Sequence, residues 1–491
     1  MISKNDSEQI QPYLVDSANY KGKCDSVYFP ETTEDIVSVL KEANSNGTKV
    51  TVAGNGTGLT GARVPEEGIV IATDKLNRVI EISDDFAIVQ PGVLLDDFLK
   101  LVSEKELYYP PDPTENNCFI GGTVATNASG AKTFKYGSTR DYVMGLKLVL
   151  ATGETVTIKR EEIFANNNLL SFTTNEGKTI KITLPEINMP ETKHAAGYFI
   201  KPNMDLIDLF IGSEGTLGVI TEITLKLLEK PNNILSSVIF FNSEHDAFSF
   251  LFEARDASNK NRKTIDDNLI NARGLEFFDK YSLDFLREEY PQIPGNAKAA
   301  LWFEQEIISN EDVLMSVWLD LVEKHNGDLE NSWIATNETD REKFKDFRHT
   351  VAWKVNEYVT QRGLRKVGTD TAVPNEKFSE FYKYITSVAE QSGLKYVVYG
   401  HFGNSHPHLN LMPENNEEYV KANEIYKLIC NKAVELSGTV SAEHGIGKIK
   451  KAYLLEMYGE DKLREMARVK KTLDPNNILG IGNIFDPNYL Q

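Results

Sequence analysis

The sequence has little cysteine, a deficit of positive charge and no long apolar run, and each shortage excludes a class of protein. Its 491 residues contain three scattered cysteines, Cys24, Cys118 and Cys430, which favours reduced, buried thiols over a disulfide framework. A formal net charge of −19 argues against nucleic acid or an anionic membrane as the main partner. No apolar run reaches the roughly 18 residues that a membrane span requires, so no integral membrane segment is predicted.

The length and the changes in texture along the chain indicate several domains. A chain of 491 residues is too long for one hydrophobic core. Short β-rich runs alternate with helical stretches up to residue 230, longer strands alternate with amphipathic helices up to 436, and the tail is rich in glycine. We expect an α+β protein with parts 1–230, 231–436 and 437–491. The polar, acidic start lacks the apolar core of a signal peptide, which favours a cytoplasmic protein.

The spacing of apolar residues predicts individual helices and strands. Helices are expected over Thr33–Ala43, Glu311–Lys324, 415–436 and Asp461–Lys471, and strands over Lys49–Val52, Gly68–Ala72, Ala87–Val89, Leu146–Leu150, Thr155–Ile158, Val219–Leu227, Leu235–Phe241 and Ala299–Phe303.

A glycine-rich stretch lies between two strand-like runs near the start of the chain. Gly54, Gly56, Gly58 and Gly61 fall within eight residues. Glycine permits a positive φ and close backbone approach. Such a loop can direct several N–H groups into one concavity that holds an anion, usually a diphosphate. A glycine-rich surface turn is the alternative for this stretch alone.

Two later segments are also built from small residues. Prolines in Tyr109–Pro113 make a rigid, extended approach to a run of small residues, Ile120–Ala131, and a second glycine-rich turn lies in Phe210–Ile220. Without bulky side chains, the backbone can lie against a large, flat ligand. Tight helix–sheet packing would explain Gly121 and Gly122 but not the whole run.

Two histidines lie in a predicted β-hairpin, Tyr396–Leu411, that turns at Asn404 and Ser405. This register places His401 directly opposite His408, with Cβ atoms about 5 Å apart. Two imidazoles at that distance can share one metal ion. Two exposed polar residues on a hairpin are the alternative.

Glu443 and His444 are adjacent in the glycine-rich segment Gly438–Gly447. In an extended segment their side chains point in opposite directions. One of them could complete a metal site of two imidazoles and a carboxylate while the other has a separate role. These ligands suit Zn²⁺, with Mn²⁺ and Fe²⁺ as alternatives. The alternative for this dipeptide is a capping pair before a helix over Lys448–Met457.

Together, these segments resemble the FAD-binding domain of the vanillyl-alcohol oxidase type flavoproteins. The resemblance covers residues 25–487 and is greatest to the branch with D-lactate dehydrogenase, the glycolate oxidase flavin subunit and D-2-hydroxyglutarate dehydrogenase. It implies a two-subdomain FAD-binding domain, an α+β substrate (cap) domain and a C-terminal segment that returns to the flavin.

The resemblance also implies which residues hold FAD. The chain has no histidine before His194, so the covalent histidine linkage of some relatives is excluded in the diphosphate loop, and we expect non-covalent FAD. Cys118 could form a link but is better explained as a buried thiol. The implied FAD-binding residues are Gly54, Asn55, Gly56, Thr57, Gly58, Leu59, Thr60, Pro111, Gly121, Gly122, Thr123, Thr126, Asn127, Gly130, Tyr136, Gly137, Glu214, Gly215, Gly218, Val219 and Ile220.

For the reaction, the resemblance implies His401, His408 and Glu443 as metal ligands and His444 as the general base. Arg348, on a predicted helix, is similar to the arginine that binds the substrate carboxylate in this family, although a solvated surface arginine is the alternative. One segment departs from the family pattern. Residues 403–407 lack the usual acidic residue and gain His406, which puts the metal's identity in doubt.

The implied activity is FAD-dependent, metal-assisted oxidation of a D-2-hydroxyacid of the D-lactate or glycolate type to the 2-oxo acid, with hydride passing to flavin N5. The alternatives are a D-2-hydroxyglutarate dehydrogenase, a transferase similar to alkylglycerone-phosphate synthase, and a flavin subunit that needs a partner. The electron acceptor (a quinone, a cytochrome or an electron-transfer flavoprotein) stays open, as does assembly into a homodimer.

Overall fold

A computed structural model describes residues 1–264, 266 and 268–490 of the protein. The chain divides into two compact units. The glycine-loop unit comprises Met1–Ser129, Ser138–Glu229 and residues 440–490, whereas the hairpin unit comprises Gly130–Gly137 and Lys230–Thr439. Each unit combines helices with its own β-sheets, which confirms the predicted α+β class.

The glycine-loop unit contains a four-stranded sheet in the order β1-β2-β4-β3 and a five-stranded antiparallel sheet in the order β5-β6-β12-β8-β9. Strands β2, β3 and β4 are parallel to one another. Two ribbons, β10-β11 and β7-β13, complete it. The strands are β1 (Ile2–Lys4), β2 (Ser26–Phe29), β3 (Val50–Ala53), β4 (Ile69–Ala72), β5 (Val79–Ile82), β6 (Phe86–Val89), β7 (Leu107–Tyr108), β8 (Val143–Val149), β9 (Thr155–Lys159), β10 (Leu169–Thr173), β11 (Thr179–Thr183), β12 (Val219–Lys226) and β13 (Leu228–Glu229).

The helices of the glycine-loop unit have recognisable end signals. Thr32 and Asp35 form a capping box at the start of the second helix, and Gly47, with φ of 70°, ends it. The helix therefore continues three residues past the predicted end at Ala43. The α-helices are Ser7–Ile10, Thr33–Asn46, Leu95–Ser103, Ile120–Thr126, Leu206–Phe210 and Lys451–Leu473, and the 3₁₀ segments are Gln11–Tyr13, Thr73–Lys75, Thr139–Tyr142 and Pro487–Leu490.

The end of the chain is part of the core of this unit. Val50 in β3 donates its N–H to the carbonyl of Ile478 and accepts from the N–H of Gly480. Ile478 and Leu479 are buried with Ile36 and Leu40 in one cluster. Each buried CH₂ group stabilises the folded state by about 0.8 kcal/mol. Such a cluster therefore makes a main contribution to the stability of this unit. The C-terminal segment thus lies beside the strand that leads into the glycine loop.

The hairpin unit is one seven-stranded antiparallel sheet in the order β17-β14-β16-β15-β19-β20-β18, covered by helices. The strands are β14 (Ile234–Phe241), β15 (Gly274–Asp279), β16 (Ala299–Glu306), β17 (Trp333–Ile334), β18 (Val367–Gly368), β19 (Tyr396–His401) and β20 (His406–Leu411). The helices are Thr133–Tyr136, Glu244–Asn261, Lys280–Leu286, Glu311–Lys324, Glu338–Thr360, Phe378–Ser392 and Asn416–Glu435, and the 3₁₀ segments are Asn375–Lys377 and Phe402–Asn404.

Aromatic side chains pack both faces of the central strands of this sheet. Phe277 stacks on Phe402, with ring centroids 4.4 Å apart, and Phe303 stacks on Trp318 at 3.9 Å. The neighbouring Phe278 points to the opposite face and packs against Phe347. Strands buried on both faces tolerate few charged residues, so any ionic group on them requires a specific partner.

The predicted strands and helices given above are all present, with ends shifted by a few residues. The largest difference concerns Asp461–Lys471, which belongs to a longer helix, Lys451–Leu473, that is interrupted at Gly459 with φ of 76°. Throughout the described part of the chain, no helix combines the length and the apolar character needed to cross a membrane.

Candidate active site

A large cleft in the glycine-loop unit is lined by the glycine loop itself. Gly56 and Gly61 have φ of 85° and 76°, backbone conformations that residues with a Cβ rarely adopt. A Cβ on Gly58 would meet no atom within 4 Å, so the backbone there faces open space. The space in the cleft is about 1480 Å³ with its open mouth included.

The two glycines of the small-residue run have different environments. A Cβ on Gly121 would lie 2.5 Å from the Pro91 Cβ, whereas a Cβ on Gly122 would meet nothing within 4 Å. Tight packing therefore explains Gly121, and open space in the cleft explains Gly122. The cleft also contains Cys118, which is buried.

Most of the residues expected to hold FAD line this cleft. They are Gly54, Asn55, Gly56, Thr57, Gly58, Leu59, Thr60, Gly121, Gly122, Thr123, Thr126, Glu214, Gly215, Gly218 and Ile220. Val219 instead belongs to the apolar core, and Asn127 accepts a hydrogen bond from the backbone of Arg140. Pro111 lies in the same unit, and Gly130, Tyr136 and Gly137 lie in the hairpin unit.

The carboxylate that holds the glycine loop lies far from it in the sequence. The Asp16 carboxylate accepts a hydrogen bond of 2.7 Å from the backbone N–H of Gly61 and is buried at the cleft. Its separation from the loop along the chain gave no local signal.

Glu214 has a role other than direct flavin contact. Its two carboxylate oxygens accept hydrogen bonds of 2.7 and 2.6 Å from the backbone N–H groups of Ile446 and Gly447. Burial raises the pKa of Glu214 to about 7, although the two N–H groups oppose the shift. Glu214 thus fixes the turn that follows His444.

His444 and Glu443 line the same cleft as the glycine loop. The Glu443 carboxylate accepts a 2.6 Å hydrogen bond from the buried Lys193 ammonium, which the sequence analysis missed. His444 Nε2 lies 3.4 Å from Glu443 Oε1. The following helix begins only at Lys451, so the helix-capping alternative for the dipeptide is wrong.

The hairpin has a different register from the predicted one. His401 pairs with His406, and His408 pairs with Tyr399. The connection is four residues, 402–405, rather than two, and Ser405 has φ of 53°, a left-handed conformation that closes the turn. The predicted opposition of His401 and His408 is therefore wrong by two residues.

The register nevertheless leaves three histidines on one face of the hairpin. Side chains two residues apart on a strand share a face, so His406 and His408 both lie beside His401. The ring centroids are 5.3 Å apart for His401–His408 and 5.3 Å for His401–His406. His401 is buried and His408 is half-buried, which makes the exposed-hairpin alternative wrong.

Two of these imidazoles are oriented by oxygen acceptors. His401 Nδ1 lies 2.7 Å from Glu276 Oε1, and His408 Nδ1 lies 3.0 Å from the carbonyl oxygen of Thr369. A carbonyl can only accept, so Nδ1 of His408 carries the proton and Nε2 carries the lone pair. Histidines that bind metal ions typically have this second hydrogen bond, so the donor set fits a metal ion.

Arg348 is buried within the hairpin unit, which makes the surface-arginine alternative wrong. Its Nη1 lies 3.8 Å from Glu276 Oε2, and its Nη2 lies 2.7 Å from His349 Nε2. Its guanidinium also lies over the Trp302 ring at 5.5 Å. Glu276 therefore contacts both Arg348 and His401. The only sequence signal for Glu276 was a charged residue within an apolar strand.

Comparisons with known proteins find two FAD-related domains in the chain. Residues 246–484 match the family described as FAD linked oxidases, C-terminal domain, and residues 24–159 match the FAD binding domain. The D-lactate dehydrogenase of Anaerostipes hadrus is 30% identical over 92% of this chain and 88% of its own. The glycolate oxidase subunit GlcD of Bacillus subtilis is 29% identical over 95% and 90%.

More distant matches extend the comparison. The D-2-hydroxyglutarate dehydrogenase of Stutzerimonas stutzeri is 26% identical over 98% of this chain and 95% of its own. A solved structure of alkyldihydroxyacetonephosphate synthase superposes with a TM-score of 0.65 and 17% identity, over 97% of this chain and 81% of that one, which is a likeness of fold alone. The two domain matches and these relatives show that the chain belongs to the FAD-linked oxidases.

Proposed function

We propose that the protein is an FAD-dependent dehydrogenase that oxidises a D-2-hydroxyacid of the D-lactate or glycolate type to the 2-oxo acid, assisted by a divalent metal ion. The observation that carries the proposal is the presence of His444 and Glu443 in the cleft lined by the glycine loop. Oxidation of the substrate removes a hydroxyl proton together with a hydride. This reaction requires a proton acceptor in the cleft that fits a flavin.

The cleft fits non-covalent FAD because its open backbone positions, Gly58 and Gly122, leave room for a large ligand. Bound there, FAD supplies a two-electron acceptor. The chain's own part is to hold the diphosphate on the N–H groups of the glycine loop. Acid precipitation should release the yellow colour into the supernatant, and colour retained in the pellet would contradict non-covalent binding.

We propose His401, His408 and Glu443 as the metal ligands, with Zn²⁺ favoured over Mn²⁺ and Fe²⁺. The support is the oriented imidazoles of His401 and His408 and the buried carboxylate of Glu443. A bound metal ion acts as a Lewis acid that lowers the pKa of a hydroxyl group.

The remaining roles belong to side chains of this protein. His444 takes the proton from the substrate hydroxyl as general base, and the adjacent Glu443 favours the imidazolium that forms. Arg348 binds the substrate carboxylate through charge-assisted hydrogen bonds, and Glu276 holds Arg348 in place.

The main candidate functions differ in which 2-hydroxyacid is the substrate. The relatives act, by their names, on glycolate, D-lactate and D-2-hydroxyglutarate. A D-2-hydroxyglutarate dehydrogenase is the second candidate because that relative matches 98% of this chain. The longer diacid requires one additional cation in the substrate site.

The test is anaerobic bleaching of the visible flavin band by a panel of D- and L-2-hydroxyacids, before and after EDTA treatment. We expect fast bleaching by one D-acid, its loss with EDTA and its recovery with Zn²⁺ or Mn²⁺. The L-enantiomer is the matched control. Bleaching by no hydroxyacid would contradict the proposed function, whereas bleaching insensitive to EDTA would contradict only the metal. Turnover with an artificial dye then tests whether a partner subunit is required.

A further inference from the structure

We propose that His406 is a third imidazole ligand, so that the metal ion is held by three histidines on one face of a single hairpin. The inference rests on the proposed function only in placing a metal ion at His401 and His408. It concerns the histidine that the hairpin segment 403–407 gains relative to the family pattern.

The position of His406 places it with the other two imidazoles. It pairs directly with His401 across the hairpin, and its ring centroid lies 4.4 Å from that of His408. One ring nitrogen of each of the three histidines lies within 4.8 Å of the others. The side chain of His406 is 0% exposed, so its ring nitrogens take their partners inside the protein.

A buried carboxylate lies beside His406. His406 Nε2 lies 3.2 Å from Asp370 Oδ1, and neither side chain is exposed. All three imidazoles therefore have one nitrogen close to an oxygen atom of the same unit, as metal-binding histidines typically do. These oxygens belong to Glu276, Thr369 and Asp370.

The distances are compatible with one small ion. Bonds of about 2.0–2.1 Å from Zn²⁺ to nitrogen separate two ligands of a tetrahedral site by ~3.3 Å. The nitrogens need to move together by at most ~1.5 Å from 4.8 Å, which small rotations of the side chains supply. The negative charge of the buried Asp370 also favours a cation on this face.

A third imidazole has a consequence for the choice of metal. Imidazole suits Zn²⁺, Co²⁺ and Ni²⁺, whereas carboxylate-rich sites suit Mn²⁺ and Mg²⁺. The additional imidazole of His406 therefore favours Zn²⁺ over Mn²⁺ at this site. A purely structural His406–Asp370 pair would change the stability of the protein but not the ligands around the metal.

The experiment titrates the EDTA-treated, FAD-containing protein with Zn²⁺ and with Co²⁺. We expect one equivalent to bind to the wild type, and His406→Asn to weaken Zn²⁺ binding at least tenfold and to shift the visible bands of bound Co²⁺. Asp370→Asn should weaken Zn²⁺ binding by about 10–100-fold with the Co²⁺ bands nearly unchanged. His245→Asn is the matched control because His245 is exposed in the same unit, and its titration should equal that of the wild type.

X-ray absorption of the zinc-loaded wild type gives an answer that requires no variant. We expect three imidazoles around the ion. Two imidazoles, or a His406→Asn variant with unchanged affinity and Co²⁺ bands, would overturn the inference while leaving the proposed function intact. A wild type that binds neither metal ion would overturn the inference together with the metal part of the proposed function.

Discussion

The glycine-loop cleft and the histidine hairpin create binding surfaces by opposite means. In the cleft, side chains are absent at Gly58 and Gly122, and backbone groups face open space. In the hairpin, buried imidazoles converge on one face and are held by oxygens from other parts of the same unit. The open positions of the cleft should therefore not tolerate an added side chain, whereas the hairpin should not tolerate the loss of an imidazole.

His444 is the exception in the cleft, and its removal should have the largest effect. His444→Ala should lower the rate of flavin reduction by substrate about 10²–10⁴-fold, because no base then accepts the hydroxyl proton. FAD should stay bound, since the side chain is not part of the glycine loop. Stopped-flow absorbance measures the rate, and reduction by dithionite is the control. A wild-type rate would refute the base assignment.

Each unit contains one buried carboxyl group with a strongly raised pKa. Burial raises the pKa of Glu214 and of Asp279 to about 7. At a pH between the ordinary pKa of each group and about 7, the carboxyl group keeps its proton in the folded protein but has lost it in the unfolded chain. Stability therefore falls as the pH rises through that range, by an amount on the order of 3 kcal/mol for each group.

The measurement is the melting temperature of the FAD-saturated protein from pH 4.5 to 8. Glu214→Gln and Asp279→Asn should each flatten the decline, and Asn is also a good N-cap for the helix that Asp279 begins. Because Glu214 fixes the turn after His444, only Glu214→Gln should also slow flavin reduction. Equal slowing by both variants would contradict that distinction.

The neighbouring glycines Gly121 and Gly122 test the cleft directly. Gly122→Leu should weaken FAD binding at least tenfold while the FAD-free protein keeps its melting temperature, since the added side chain enters open space. Gly121→Ala should instead destabilise the protein by about 1–3 kcal/mol through overpacking against Pro91. Flavin fluorescence titration and thermal melts separate the two effects. Identical behaviour would contradict the assignment of Gly122 to the ligand surface.

The smallest effect is expected at the turn of the hairpin. Ser405 has a positive φ, but its hydroxyl accepts from Arg255 Nη1 and donates to Asn375 Oδ1. Ser405→Ala should lose about 1 kcal/mol for each of these hydrogen bonds. Ser405→Gly should lose less, because glycine relieves about 1 kcal/mol of backbone strain. Chemical denaturation measures the difference, and a Gly variant less stable than the Ala variant would contradict it.

The cleft and the hairpin also differ in how much of each could be predicted from the sequence. The glycine loop is local: its residues are consecutive, so the pattern predicted a loop that can hold a diphosphate, and together with the later segments it carried the resemblance that implied FAD. The spacing of His401 and His408 identified the histidines, but the register depended on the conformation of Ser405, which no residue type signals. The left-handed turn moved the pairing by two residues and brought His406 opposite His401.

The groups that orient the site were outside the reach of local patterns. Glu276 contacts His401 from 125 residues away in the sequence, and Lys193 contacts Glu443 from 250 residues away. Such pairs are fixed only when the strands and turns pack. A charged residue in the middle of the largely apolar strand Gly274–Asp279 was the sequence signal for Glu276.

The contact between β3 and the end of the chain has a consequence for synthesis of the protein. Val50 pairs with Ile478 and Gly480, and the backbone N–H of Lys448 donates to Thr60 in the glycine loop. Residues 448–480 must therefore leave the ribosome before this loop has its neighbours. We expect FAD to bind only after these residues have been made, because the glycine loop takes its final contacts at that point.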